Sequence, residues 1–410
     1  MRDRDLYRTL LGITSPWEIP DVVMDVKEQT ITVHVELRAG ATLPCPECGR
    51  PDCAIKDRRE RTWRHLDTCQ FKTMITCPLP RTECPKCGVK TVSPPWAQRH
   101  SRFTMLFERL AIDVLQEMSV KAACALLRIS WDEADGIIAR AVGRGLERRD
   151  LSGLRRIGID EKSARKGHHY ITIVYNLETS KVIWIGKDRT EETLDGFFAS
   201  LPKAVLDQIE CITMDMWKPY RASCRKWIRD ADEKTVLDRF HIERHLNEAV
   251  DTVRKQEHRA LQAQGIDLLA KTKWDWLYRP ENLPPEREAR FEVVRQYNLQ
   301  TVRAHAIKET FRHLWDYIYP ANARRFFKGW FFWATHSRLD PIIEVARKFK
   351  KHLERILTFF HLHATNSTAE GINNKIQTVK KKAYGFRNIQ RFMNAIYFHC
   401  GGLNLYPDPL

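Results

Sequence analysis

Three short stretches each present a carboxylate where a strand ends or a helix begins: Ile157-Gly158-Ile159-Asp160-Glu161, Thr213-Met214-Asp215-Met216-Trp217, and Asn366-Ser367-Thr368-Ala369-Glu370-Gly371-Ile372-Asn373. Carboxylates that converge suit one kind of chemistry. Two unit negative charges about 4 Å apart repel by roughly 4 kcal/mol at an effective dielectric near 20, so they tolerate one another when cations lie between them. Magnesium (or manganese) takes oxygen ligands and keeps positions for water and phosphate oxygens. Two such ions stabilise the attacking and the leaving oxygen of an in-line phosphoryl displacement. Asp160, Asp215 and Glu370 are therefore candidate catalytic residues and candidate ligands of two Mg2+ ions. Each alone has a plainer reading: Asp160 and Asp215 as turn residues, and Glu370 as the partner of Ser367 in a capping box. Glu161 alternates with Asp160 along the strand and is expected on the opposite face. His241, in Asp238-Arg239-Phe240-His241, either orients a water or phosphate near the metals or is a polar residue opening a helix.

A second constellation is built from thiols. Cys45-Pro46-Glu47-Cys48-Gly49 and Cys84-Pro85-Lys86-Cys87-Gly88 repeat one pattern. The two-residue spacing turns both thiolates of a knuckle toward one ion, and the glycine lets the backbone amides turn onto the sulfurs. Two knuckles make a closed tetrahedral site, so Cys45, Cys48, Cys84 and Cys87 are expected to hold one structural Zn2+. Cys53, Cys69, Cys77 and His65 compete as ligands. Each alone reads as a buried apolar cysteine or a surface histidine.

Elements must carry these residues into place. Alternation over residues 21–44 reads as a hairpin, and Phe71–Ile75 as a further extended stretch. Helical periodicity starts near Phe103, continues in a short helix over Val120–Leu127, and resumes after Ser130, which with Glu133 forms a capping box. Three helices with tight turns suggest a helix-turn-helix. From Arg156 the pattern becomes β-β-β-α-β-α-β, with Asp160 ending the first strand and Asp215 the fourth. Neighbouring first and fourth strands would bring the two carboxylates together, the arrangement of an RNase H-like α/β fold, and Glu370 would join them from a late helix. Residues 243–358 read as helical, with Phe326-Phe327-Lys328-Gly329-Trp330-Phe331-Phe332-Trp333 as an aromatic cluster suited to core packing.

The 410 residues give a prior of roughly two to four domains. We expect a β-rich zinc-binding module over 1–102, a helix-turn-helix over 103–150, and a catalytic domain over 151–245 and 359–410. An all-α insertion over 246–358 would interrupt the catalytic domain. The net charge of +16 favours a polyanionic partner, nucleic acid above all. The basic run Lys375, Lys380, Lys381, Lys382, Arg387 and Arg391 follows Glu370 closely and suits phosphate contact. Trp217 and Tyr384 flank the acids and could stack on an unpaired base or simply pack. No apolar run reaches the roughly 18–20 residues of a membrane helix, and the charged start lacks a signal segment. An intracellular protein with no membrane partner is expected. Its 11 cysteines then favour metal over disulfides, the more so as seven lie between Cys45 and Cys87.

At these residues the sequence resembles the ISL-three family of bacterial insertion-sequence transposases, a D-D-E group. The resemblance rests on Gly158-Ile159-Asp160-Glu161-Lys162-Ser163 with Arg165-Lys166-Gly167-His168-His169-Tyr170, on Met214-Asp215-Met216-Trp217-Lys218-Pro219-Tyr220, and on Asp238-Arg239-Phe240-His241. It is carried furthest by Glu370-Gly371-Ile372-Asn373-Asn374-Lys375-Ile376 running on to Ala383-Tyr384-Gly385-Phe386-Arg387-Asn388. It implies catalytic roles for Asp160, Asp215 and Glu370. It also implies binding of the element's terminal inverted repeats by the zinc module and helices, cleavage at the element ends, and joining of the 3′ ends to target DNA. The third helix starts with the acidic Trp131-Asp132-Glu133-Ala134-Asp135, ill suited to phosphate, whereas Arg140 and Arg144 farther along would serve DNA. Double-stranded DNA would be the partner, a dimer or larger assembly would pair two ends, and the site of action would be the bacterial cytoplasm at the nucleoid. A catalytically silent, transposase-derived DNA-binding regulator is the competing reading.

Overall fold

The computed structural model describes residues 3–165, 169–278, 282–362, 367–383 and 385–408, with the side chains of Arg165, Arg290 and residues 367–370 outside that description. Its chain divides into two compact units. One comprises Met1–Arg149 and Val379–Leu410, the other Asp150–Thr378.

The first unit opens with helix α1 (Asp3–Leu10) and a five-stranded sheet of β1 (Trp17–Asp25), β2 (Thr30–Leu37), β3 (Ala54–Arg64), β4 (Lys72–Cys84) and β5 (Gly88–Thr91). The sheet order is β1-β2-β4-β3, with β5 also paired to β4. The expected hairpin is β1–β2, displaced toward the N-terminus. In β2, alternation puts Ile31, Val33, Val35 and Leu37 inside. The stretch read as extended around Phe71 is the start of β4, which runs 13 residues into the second cysteine knuckle. β3 was not legible: its charged Lys56-Asp57-Arg58-Arg59-Glu60-Arg61 lacks an apolar face, and it lies at an edge, where charge is tolerated. Trp96 closes the core, its ring edge-to-face with Trp17 at 5.3 Å and Trp63 at 5.5 Å.

Three helices follow: α2 (Met105–Glu117), α3 (Val120–Leu127) and α4 (Trp131–Glu147). Thr104, Ser119 and Ser130 cap them through side-chain oxygens, and the Ser130–Glu133 capping box forms in full. Each cap satisfies amides that the first helical turn leaves unpaired.

The second unit is built on a five-stranded sheet of β6 (Arg156–Arg165), β7 (His169–Asn176), β8 (Lys181–Lys187), β9 (Cys211–Met214) and β10 (Thr235–Leu237), ordered β10-β9-β6-β7-β8. β6, β7 and β8 form an antiparallel meander, while β9 runs parallel to β6 and β10 parallel to β9. Helices α5 (Glu191–Ala199) and α6 (Lys203–Asp207) precede β9, and α7 (Lys218–Trp227) and α8 (Ala231–Lys234) precede β10. Leu194, Phe197, Phe198, Tyr220 and Cys224 pack on Ile157, Ile159, Val174 and Ile212 of the sheet.

Helices then replace strands throughout the described part of residues 239–362. They are α9 (Arg239–Gln262), α10 (Lys273–Leu277), α11 (Pro285–Arg295), α12 (Gln300–Arg312), α13 (Pro320–Thr335), α14 (Asp340–Lys351), α15 (Leu353–Leu357) and α16 (Phe359–Leu362). One apolar core joins them to Leu237 at the end of β10, and Met216 packs against it. The aromatic cluster of α13 is split: Phe327 and Trp330 are buried, whereas Phe332 and Trp333 are exposed. Helix α17 (Ser367–Lys382) follows, and from Val379 in its last turn the chain belongs to the first unit again, with α18 (Ile389–Cys400).

Candidate active site and zinc centre

The β6–β9 ladder aligns Arg156 with Cys211, Ile157 with Ile212 and Gly158 with Thr213. Carried two residues further, this register sets Asp160 opposite Asp215, which lies just past the end of β9; the expectation that Asp160 ends its strand is corrected, because β6 stays paired with β7 as far as Arg165. Gly158 is required here by space rather than by backbone angle. A Cβ on it would lie 2.1 Å from the Tyr175 ring, which crosses from β7.

The two carboxylates are held differently. Asp160 Oδ1 accepts from the Glu161 amide at 2.7 Å and Oδ2 from Asn373 Nδ2 at 2.8 Å, with Lys162 Nζ 3.7 Å away. The Asn373 bond ties α17 to the middle of β6. Asp215 Oδ1 accepts from the Trp217 amide at 2.9 Å, an Asx turn that starts α7. Burial pushes the Asp215 carboxyl up to about 6. The Trp217 amide and the charge of His241 pull it down, and Glu161 and Asp160 push it up further.

Glu370 lies in the first turn of α17, three residues before Asn373, and so at a position on the same face of that helix. Its side chain lies outside the described residues, as does Tyr384. His241 sits in the first turn of α9, its Nε2 3.6 Å from Asp238 Oδ2. Glu161 pairs with Arg189 at 2.9 Å, and its charge still reaches Asp215. Arg189 stacks between Tyr170 at 4.1 Å and Trp217 at 4.5 Å, and its carbonyl accepts from Trp217 Nε1 at 2.9 Å. Trp217, read as stacking on a base or packing, has its ring engaged by Arg189 and packs on the sheet's helical cover. Arg189 itself, outside the motifs, could be found only once the fold brought α5 and α7 together.

The basic run divides. Lys375, Lys381, Lys382 and Arg387 are exposed. Lys380 lies over the Phe392 ring at 5.8 Å, and Arg391 pairs with Asp132 at 3.0 Å and Asp135 at 3.1 Å. The acidic start of α4 is thereby explained as an anchor for α18. Arg140 and Arg144 depart from expectation. Both turn onto the buried Glu108, whose Oε1 takes Arg140 Nη2 at 2.6 Å and Oε2 Arg144 Nη1 at 3.1 Å. Arg144 is 8% exposed and also donates to Gln98 and to the Leu405 carbonyl. A buried carboxylate requires paired cations, so Arg144 holds the module together and is corrected as a DNA contact.

In the first unit the four knuckle cysteines meet. Their sulfurs all lie within 4.8 Å of one another, with Cys48 and Cys84 3.6 Å apart. A tetrahedral zinc with bonds of ~2.3 Å requires sulfurs ~3.8 Å apart, so the set fits the ion. Gly49 and Gly88 both adopt φ of +71°, the turn the repeated pattern requires. Amides of Cys87 and Lys86 hold the Cys84 thiol down to about 6, and those of Cys48 and Glu47 lower Cys45. Cys87 is pushed up to about 12, first by its hydrogen bond with Cys48 and then by burial. The competitors fall away. Cys77 is buried in the sheet core and pushed up to about 12 by burial. Cys69 is exposed in a turn, and His65 is buried with Nδ1 bonded to Thr104. Cys53 packs beside the four thiols but hydrogen-bonds the Arg50 carbonyl.

A sequence model of ISL3 transposases, described as "Transposase", matches residues 157–396, more than half of the chain. The chain belongs to the ISL3 transposase family. A helix-turn-helix domain of transposase family ISL3 matches residues 92–142, spanning α2 to α4. A zinc-finger of transposases IS204/IS1001/IS1096/IS1165 matches residues 42–87, spanning both knuckles. This ISL3 member is 25% identical over 368 residues to the transposase for insertion sequence element IS1001 of Bordetella parapertussis, covering 89% of this chain and 90% of that protein. It is 26% identical over 431 residues to the transposase for IS1557 of Mycobacterium tuberculosis, covering 95% and 94%. Among the described residues, no helix of this transposase is long and apolar enough to cross a membrane.

Proposed function

We propose that this ISL3 transposase cuts DNA at the ends of an insertion sequence and joins the freed 3′ ends to target DNA at a site formed by Asp160, Asp215 and Glu370. The observation that carries the reading is the alignment of Asp160 with Asp215, together with the Asn373 bond that brings the helix of Glu370 to Asp160. The sheet order, with the antiparallel meander flanked by two parallel strands, supports an RNase H-like catalytic fold, and helices α9 to α16 are its insertion.

The donor set suits hard divalent cations, since carboxylate oxygens are the ligands magnesium prefers. Asp160, Asp215 and Glu370 would hold two Mg2+ (or Mn2+), which when bound supply charge stabilisation for phosphoryl transfer. Asn373 fixes the Asp160 carboxylate, the Trp217 amide fixes that of Asp215, and His241 is a candidate for orienting water or phosphate. Lys375, Lys381, Lys382 and Arg387 remain candidate phosphate contacts, and the four-cysteine zinc centre and helices α2 to α4 would bind the terminal inverted repeats. Pairing two ends requires at least a dimer on DNA. The place of action is the cytoplasm, at the nucleoid.

Asp160→Asn and Asp215→Asn should each lower strand cleavage of an element end by at least about a thousandfold while end binding in calcium stays near wild type. The expected scale follows from losing a metal-borne stabilisation of several kcal/mol. Cleavage by either variant at wild-type rate would overturn the assignment.

A further inference from the structure

We infer that Lys348 of α14, steadied by His245 of α9, binds a backbone phosphate of the DNA strand at the candidate active site. This rests on the reading of Asp160, Asp215 and Glu370 as the phosphoryl-transfer site and adds a substrate contact supplied by the helical insertion.

The arrangement is specific. Lys348 Nζ donates to His245 Nε2 at 2.7 Å, so that ring nitrogen acts as an acceptor and the imidazole proton lies on Nδ1, on the side of Glu248 at 3.8 Å. His241 and His245 stand one turn apart on α9. Lys348 is half-buried and lies within electrostatic reach of Asp215 and Glu248, yet no carboxylate among the described residues comes within 4.0 Å of its ammonium. A lysine that gives up hydration in this way is ordinarily paired with an anion.

The anion cannot be Asp215 in the working enzyme. A carboxylate that binds a divalent cation has its negative charge taken up, and Lys348 then faces a net positive centre. Divalent cations held by the acids would make Lys348 one of several cationic groups around the site, which favours an anion there, and the anion that enters a site of this kind is a DNA phosphate. A lysine serves there as a point charge without demanding bidentate geometry.

The test is binding of a DNA end by wild type, Lys348→Met, Lys348→Ala and Lys348→Arg, in chelator and in calcium. A set of DNAs would each carry one neutral methylphosphonate near the cleavage position. We expect wild type to lose about tenfold in affinity at one methylphosphonate position. Lys348→Met should lose a similar factor on ordinary DNA, show no further loss at that position, and have a salt slope shallower by about one charge. Lys348→Arg should keep most of the affinity. Melting of each variant separates a folding defect, and the Met variant retains the apolar stem if the Ala variant does not fold. A Lys348→Met protein with unchanged slope and wild-type sensitivity at every methylphosphonate overturns the inference. Asp160→Asn is run in parallel: cleavage by that variant would remove the active-site reading, whatever the Lys348 variants do.

Discussion

Asp215 shows how one residue carries the demands of a whole site. Its carboxyl is raised by burial and by two neighbouring acids, and is relieved by one amide and one histidine. Asp160 has a different role, as the residue to which α17 is fastened through Asn373. The pairing of Asp160 with Asp215 was legible in the sequence, because the order of strands makes β6 and β9 neighbours, whereas the end of β6 was misplaced, since Glu161–Arg165 carry no apolar alternation. Lys348 and His245 were not legible, since they are 103 positions apart and meet only through helix packing. Arg144 was misread for a related reason: a sequence gives the charge of an arginine but not the buried Glu108 that claims it. At this scale the pH response also has a clear sign. Burial holds the His65 imidazole down to about 4 against an ordinary 6.5, so the folded state resists protonation. Stability from this group is complete above pH 6.5 and is lost as pH falls toward 4, by on the order of 3 kcal/mol. Melting of wild type should therefore drop steeply over that window, and His65→Gln, able to keep a hydrogen bond to Thr104, should flatten the drop. An equal drop in both proteins would assign the effect elsewhere.

Among elements, β6 is the one on which most depends. It pairs with β7 on one side and β9 on the other, and it carries Asp160 at the level of Asp215. Its geometry demands a residue without a side chain at 158, because the Tyr175 ring fills that space. Gly158→Ala should lower thermal stability by about 1–3 kcal/mol through overpacking and reduce cleavage with it. Adding Tyr175→Leu should recover much of both, and a double variant no better than the single would place the defect in the backbone instead. The alternating strands β2, β6 and β7 were readable because one face is apolar and periodic. β3 was not, because a charged edge strand shows no burial pattern. The short helix over Val120–Leu127 and the start of α4 were read to the residue, the latter because Ser130 and Glu133 announce that boundary chemically.

Across the whole molecule, the four cysteines and helices α2 to α4 fall in one unit, and Asp160 and Asp215 in the other. The four thiols bridge the first strands and the β4–β5 turn, so zinc should stabilise the first unit and leave the second largely untouched. Stripping zinc with a strong chelator, or Cys84→Ser, should abolish the lower or upper of two thermal transitions and weaken end binding by at least about tenfold, since structural zinc contributes folding energy directly. Two unchanged transitions would show that the thiols do not hold the metal. The net charge of +16 was legible as a sign of a polyanionic partner. Which basic residues face outward depends on the acids that α4 and α2 set against them.

The first unit is completed by residues 379–410, where Arg144 reaches the carbonyl of Leu405 and Arg391 reaches Asp132 and Asp135. A chain is made in one direction and folds as it emerges. While the ribosome is still adding residues up to 378, the arginine of α4 waits without its carbonyl and the acids at the start of that helix wait without their cation. A nascent or broken chain that stops before residue 379 therefore carries an unfinished first unit, and that unit is completed only in a protein that has already made the helix of Glu370.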